Sequence, residues 1–406
     1  MQFFGKKEMR WREFFRRFLF FGAGRYRLTF LELRGIVSRN YTCRFGGYPI
    51  LNRQTIYTKM PLIKKLSARL QNHPKRIVYP EGADPRILQA ARQFSTRKLG
   101  VPILLGNRDK IEQAAESVDV RLDGMKIIDP VLSDDFGELC RLMKAFPRFR
   151  ALDDEGIKNL VANPNYYSTL MVASGRADAM LAGATTVSSS ALRPIFQIIP
   201  LQKGFKTASS IMILSTGRPE IGIDGDLFLA DCGVIPEPSE QQLCDIALTT
   251  GMLANQLTLR TPKIAMLSFS SKASTSAHPS VTKVKAATAL AHDKAKRDML
   301  EMEIDGELQI DAALSPEVAK LKNISSSVAG KANVLIFPDL DSGNIASKMI
   351  KVLAPEIACY GQILTGLTKP AAEISRGSSV PNIFGTSVIV AAQAVDRRFI
   401  DIELER

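Results

Sequence analysis

Residues Ile77–Phe94 read IVYPEGADPRILQAARQF, and this stretch decides the fold class. Ile77-Val78-Tyr79 is a short β-branched and aromatic run that suits a buried strand. A Gly82-Ala83-Asp84-Pro85 turn follows. Asp84 is a good helix N-cap and Pro85 a good first helical residue, because proline lacks the N–H that would go unbonded there. Ile87, Leu88, Ala91 and Phe94 then hold a helical period. The stretch therefore predicts strand, turn and helix in immediate succession.

The same alternation continues outward. Val101–Leu105 reads as the next strand, closed by Gly106. Further strands are expected at Ala179–Ala182, Ser210–Leu214, Leu227–Ala230, Ile264–Phe269 and Val334–Phe337. Helical stretches lie between them, for instance Glu240–Gln256 and Val281–Ala295. Alternating strands and helices predict an α/β fold of mostly parallel sheets with flanking helices. A length of 406 residues suggests two to three domains at roughly 150 residues each. We expect an N-terminal extension over 1–59, one α/β domain from 60–207 plus 365–406, and a second from 208–364.

Composition removes several classes. Hydrophobic residues make up 45% and charged residues 23%, as in ordinary globular proteins. No apolar run approaches the ~18 residues of a spanning helix. The five cysteines are scattered without a CxxC pair, which disfavours disulfide scaffolds and zinc ribbons and suits a reducing cytoplasm. Three histidines and no HExxH argue against a His-rich metal site. Neither Walker A nor GxGxxG is present, nor a GxSxG nucleophile elbow.

The net charge of +13 points to nucleic acid until its distribution is considered. Residues 1–59 hold 13 Lys/Arg against 3 Glu, so +10 of the charge lies there and the body is close to neutral. Nucleic acid is therefore not an expected partner. In the same segment Trp11, Phe14, Phe15, Phe18 and Leu19 fall on one helical stripe with Arg12, Arg16 and Arg17 between them. Three readings compete: a membrane-surface or targeting helix, an unrelated extension, or sequence upstream of a start at Met60. We expect the last, because enzyme-like patterning begins at once after Met60.

Polar loops follow the strands, at Gly183–Ser190, Ser268–Ser276 and Asp339–Asn344. In open α/β sheets ligands sit at the carboxyl ends of strands. The most chemical stretch is Ile374-Ser375-Arg376-Gly377-Ser378-Ser379, ahead of an apolar helical pattern from Ile383 to Val395. Hydroxyls, backbone N–H groups, a guanidinium and a helix dipole together suit a phosphate or a developing oxyanion. The plainer alternative is capping by Ser378 or Ser379 with a solvated Arg376. Asp339 and Asp341 admit a ligand or metal role, but an Asx turn is the commoner use of such a run. Arg193, after the Thr/Ser-rich loop, is a phosphate anchor or a surface arginine at even weight. Asp305-Gly306-Glu307 reads most economically as a turn, and His278-Pro279 as a turn before a helix at Val281.

These segments, in this order, resemble the phosphate acetyltransferase/butyryltransferase family from about Arg76 to Val395. The carrying motifs are Pro80–Arg86 (PEGADPR), Leu229-Ala230-Asp231-Cys232, Ile264–Lys272 (IAMLSFSSK), Asp305–Ala313 (DGELQIDAA), Gly330–Asn344 (GKANVLIFPDLDSGN) and Ser375-Arg376-Gly377. The DGELQ and FPDL forms are more similar to acetyltransferases than to butyryltransferases. The resemblance implies a two-domain, isopropylmalate-dehydrogenase-like fold with a cleft between domains, and usually a homodimer. It implies the reaction acetyl-CoA + phosphate ⇌ acetyl phosphate + CoA, with CoA as substrate and no metal or organic cofactor. By position, Ser375 is expected to hydrogen-bond the reacting carbonyl and Arg376 to hold phosphoryl oxygens. Arg193 matches an arginine of the same phosphate site, and Gly377, Asp339 and Asn344 belong to the substrate-binding motifs.

Several expected positions are changed. The family's Asp seven residues after the motif serine, proposed to take the thiol proton, is Asn382 here. Thr186 and Ser190 stand where the family usually carries a His and an Asp. Leu353 replaces an arginine, with Lys351 nearby. Pro147 replaces another, with Arg148 adjacent. The leading expectation is an acetyl-transferring enzyme weakened by Asn382. The alternatives are a butyryltransferase and a non-catalytic binder of CoA esters or acyl phosphates.

Overall fold

In the computed structural model the chain divides into two compact units, Met1–Thr55 and Ile56–Arg406. The structure describes residues 61–272 and 278–395, and in the first unit only the paired antiparallel strands Arg44–Phe45 and Tyr48–Pro49. The expected helix over Trp11–Leu19, the expected start at Met60, residues 273–277 of one polar loop and residues 396–406 lie outside the described residues.

The second unit is built on one eleven-stranded sheet. In chain order its strands are β1 (Lys75–Tyr79), β2 (Gly100–Leu105), β3 (Lys126–Ile128), β4 (Ala179–Ala182), β5 (Ser209–Ser215) and β6 (Asp226–Ala230). Then come β7 (Lys263–Leu267), β8 (Glu303–Leu308), β9 (Val334–Ile336), β10 (Ala358–Thr365) and β11 (Ala371–Glu373). The spatial order is β8-β7-β9-β6-β5-β10-β11-β4-β1-β2-β3. The α/β class expected from the alternation is thus the observed one, and the sheet runs without a break through both sequence halves.

Strand direction divides the sheet. β11, β4, β1, β2 and β3 are mutually parallel, and so are β8, β7, β9 and β6. Between them β5 pairs antiparallel with both β6 and β10, and β10 pairs antiparallel with β11. The two parallel groups therefore run in opposite senses.

Both faces of the sheet are buried, as parallel strands require. Ile77 and Tyr79 face one cluster while Val78 faces the other. Phe228 and Ala230 likewise alternate with Leu227 and Leu229. Each fully buried aliphatic or aromatic side chain contributes about 1.5–3 kcal/mol of transfer free energy. Asp84 caps the helix Pro85–Thr96 through the N–H groups of Arg86 and Ile87, with Pro85 at its first position. His278 is the N-cap of Pro279–Arg297, a helix that begins two residues ahead of its expected start at Val281.

One reading is corrected. Asp305-Gly306-Glu307 is not a turn but the middle of edge strand β8. Gly306 is there because β8 lies tight against its neighbours: an added Cβ would come within 2.5 Å of the Met266 Cβ and 2.8 Å of Thr288 Oγ1. A glycine between two acids carries the signal of a turn, and only tertiary packing reverses it.

Candidate active site

The parallel group that contains β1, β4 and β11 brings three loops together at its carboxyl edge. The register pairs Glu373 of β11 with Ala182 of β4, so the residues that follow each strand emerge side by side. These are Gly183–Val187, leading into the helix Ser188–Ile198, and Ser375-Arg376-Gly377, leading into the helix Val380–Gln393. Pro80-Glu81-Gly82 after β1 is the third.

Glu81 and Arg86 tie these loops. The Glu81 carboxylate accepts the backbone N–H groups of Ala184 (2.7 Å), Thr185 (2.8 Å) and Thr186 (2.9 Å). It also accepts the hydroxyls of Thr185 (3.2 Å) and Thr186 (2.9 Å). Arg86 is held by Asp84 (Nη2 to Oδ2, 2.8 Å) and donates to the carbonyls of Ala184 (2.7 Å), Ser378 (3.2 Å) and Arg376. One guanidinium thereby fixes the Ser-Arg-Gly turn against the β4 loop. The hydrogen bond to Asp84 pushes the Arg86 pKa up, so its charge is permanent. In the sequence Glu81 and Arg86 stand out only as parts of the Pro80–Arg86 motif. Their bonding partners lie about one hundred and three hundred residues away, and no local pattern announces them.

Ser375, Arg376 and Gly377 are exposed, with the Ser378 N–H closing the turn on the Ser375 carbonyl at 2.9 Å. The plainer capping reading holds in part: Ser379 occupies the N-cap position and Arg376 is exposed, but Ser379 makes no side-chain cap bond and neither does Ser378. No hydrogen bond or ion pair joins the Ser375 hydroxyl or the Arg376 guanidinium to another described residue. Asn382, half-buried, lies in the first turn of the helix that this loop opens.

Arg193 and Arg148 both lie within electrostatic reach of Tyr166. Arg193 is exposed on the helix Ser188–Ile198, and Arg148 is exposed in the short turn Pro147–Phe149. Both charges act on Tyr166, whose pKa is raised by burial and drawn back by the two guanidinia. The Tyr166 hydroxyl donates to Gln197 Oε1 at 2.7 Å, and its ring packs edge-on to Phe149. Neither arginine is bonded to another described residue. Arg148, Arg193 and Arg376 are therefore three uncommitted cations, the complement that an anionic substrate requires.

Asp339 and Asn344 sit beyond β9, in the group of opposite strand sense. Asp339 caps the helix Leu340–Leu353 through the Ser342 N–H at 2.8 Å. Asn344 donates from Nδ2 to the Cys232 carbonyl at 3.0 Å, and Gln362 reaches the same oxygen at 3.1 Å. No hydrogen bond joins them to the Ser375 loop. Lys348, on the helix that Asp339 caps, acts on Glu373 electrostatically. Glu373 itself escaped sequence reading. It is buried at the end of β11, accepts the Ser188 hydroxyl at 2.8 Å, and has its pKa pushed up to about 7, mainly by burial and further by the Glu81 charge. The available signal was a lone acid inside the apolar run Ala371-Ala372-Glu373-Ile374.

An α/β sheet whose helix-opening loop presents an unbonded hydroxyl and guanidinium, with two further unbonded arginines on other elements, has the groups with which a protein binds small anionic substrates. Comparison with known proteins narrows this. The profile of the family described as Phosphate acetyl/butaryl transferase matches residues 61–391. The phosphate acetyltransferase of Thermoanaerobacterium thermosaccharolyticum is 39% identical over 335 residues, covering 82% of this chain and 100% of that protein. That of Acetivibrio thermocellus is 38% identical, covering 82% and 98%. Among solved structures, the EutD phosphotransacetylase from Staphylococcus aureus superposes with a TM-score of 0.74 at 35% identity, covering 83% of this chain and 99% of that one. The chain belongs to the phosphate acetyl/butaryl transferase family.

Proposed function

We propose that the protein is an acyltransferase that moves an acetyl group reversibly between CoA and inorganic phosphate. The observation that carries this is the Ser375-Arg376-Gly377 turn, held open by Arg86 with its hydroxyl and guanidinium uncommitted, in a chain of this family. In this reading the CoA thiolate attacks the carbonyl carbon of acetyl phosphate and phosphate departs. Ser375 donates to the carbonyl oxygen as it gains charge, and Arg376 holds the phosphoryl oxygens. Arg193 and Arg148 supply further positive charge, while Thr186 and Gly377 shape the loops. Asp339 and Asn344 order the helix that carries Lys348. The expected two-domain division, at 207/208 and 364/365, puts the Ser375 loop and Lys348 on different domains across a cleft. The reaction needs stabilisation of developing charge rather than a redox or Lewis-acid centre, so we assign it no cofactor beyond its substrates.

A cytoplasmic homodimer accords with this function. No described helix is long and apolar enough to cross a membrane. Asn382 favours a second reading, a binder of CoA esters without turnover, because a carboxamide cannot accept a thiol proton. Acetyl-CoA formation from acetyl phosphate and CoA by the full chain decides between them. Turnover abolished by Arg376→Ala, by about 10³-fold, is the expected result. Binding of CoA by a folded protein with no turnover would establish the second reading instead.

A further inference from the structure

We propose that Glu373, acting through the Ser188 hydroxyl, accepts the thiol proton in the transfer reaction. The inference rests on the acetyl-transfer reading above. Asn382 offers no base, so the proton must go elsewhere or leave unaided. Of the carboxylates on the three loops, Glu81 is bonded by five donors and Asp84 by a guanidinium and two backbone N–H groups. Glu373 differs from both. Its carboxylate takes a single hydrogen bond from a described residue, the neutral hydroxyl of Ser188 at 2.8 Å. Ser188 is itself exposed, at the head of the helix that carries Arg193. The pair therefore links solvent to a buried carboxylate two residues from Ser375.

The position is tightly defined. A Cβ on Gly183 would meet the Glu373 Cγ and Oε1 at 3.0 Å and the Ile374 carbonyl at 2.3 Å, with a φ of +102° that other residues rarely adopt. The charged groups facing Glu373 are Glu81 from the loop after β1, which favours its protonated form, and Lys348 from the helix Leu340–Leu353, which opposes it. Burial outweighs both and raises its affinity for a proton toward neutrality.

The step balances. The thiol S–H bond breaks and its proton passes to the Ser188 oxygen as the Ser188 O–H proton passes to Glu373 Oε1. The sulfur electron pair forms the S–C bond at the acetyl carbonyl. The C–O bond to phosphate breaks with its electron pair on oxygen, and the leaving phosphate recovers the proton by the same route. Neither an oxidant nor a metal is required.

The size of the effect is bounded. A thiol of pKa ~8.5 is about 3% ionised at pH 7 without help, so losing the acceptor costs about 30-fold there and little at pH 9. The test is the pH profile of kcat and KM for the full chain, with Glu373→Gln, Glu373→Asp and Ser188→Ala. The native rate is expected to level off near pH 7, following Glu373. Glu373→Gln and Ser188→Ala should lose about 30-fold in kcat at pH 7, keep KM for acetyl phosphate, and converge on the native rate by about pH 9. Glu373→Asp should retain part of the activity. Losses equal at all pH values, or variants that track the native profile, overturn the proposal while leaving acetyl transfer intact. An inactive native chain removes the acetyl-transfer reading and this one together. Ser188 is exposed, so its variant remains informative even where Glu373→Gln fails to fold.

Discussion

Asp231 and Glu373 are both buried carboxylates just beyond or at strand ends of one sheet, at 3% and 4% exposure, yet their surroundings differ in kind. Asp231 follows β6 and accepts the Ser210 hydroxyl (2.6 Å) and the N–H groups of Ser210, Gly233, Val234 and Ile235. Four of those five donors are backbone and cannot turn away. Glu373 has one donor, and that donor is a hydroxyl able to rotate. The contrast teaches how burial divides structural from chemical acids. A carboxylate saturated by fixed donors organises a loop. One left with a single rotatable donor retains affinity for a proton.

The largest effect should fall on the saturated acid. Asp231→Ala leaves four N–H groups and a hydroxyl without their acceptor, and should cost about 3–5 kcal/mol of stability. Denaturant midpoints measure this, and a loss below about 1 kcal/mol would break the comparison.

The next effect belongs to Glu373 and changes with pH. Its folded pKa of about 7 lies above the unfolded value of 4.5. The stabilisation is therefore complete below pH 4.5 and disappears as pH rises through about 7. Relative to Glu373→Gln, the native protein should lose on the order of 3 kcal/mol across that window. Melting temperatures of the pair from pH 4.5 to 8 test the sign; parallel curves would show a Glu373 that does not titrate there.

The smallest effect is kinetic. With Glu373 receiving the proton, a second carboxylate adds little, and Asn382→Asp should raise kcat at pH 7 by no more than about threefold. A rise of tenfold or more would show that the proton had no acceptor before.

Much of this was legible in the sequence. The strands around Ile77, Val101, Ala179, Ser210, Leu227, Ile264 and Val334 stand where their short apolar runs placed them. β3, β8, β10 and β11 did not announce themselves. β3 and β11 have three residues each, and β8 contains Asp305-Gly306-Glu307, whose composition belongs to turns. The Ser375-Arg376-Gly377 loop was readable because its chemistry is local. Arg86 and Glu373 were not, since their meaning depends on Ala184, Arg376 and Ser188, which only the folded sheet brings near. Asp339 was readable as a turn-former, and it caps a helix.

The place of β11 in the sheet has a consequence for synthesis. β11 lies between β10 and β4, although β4 is made almost two hundred residues earlier. A ribosome that has reached residue 365 has therefore produced β1 to β4 with an open edge along β4, and has not yet produced the helix Val380–Gln393 that packs on Pro61–Asn72 and Pro85–Thr96. Such an edge pairs readily with other chains. The segment that closes it is the one that brings Glu373, Ser375 and Arg376. Nascent chains interrupted before this point lack both the seal and the reactive loop, so half-made copies cannot act on acetyl phosphate while they remain prone to aggregate.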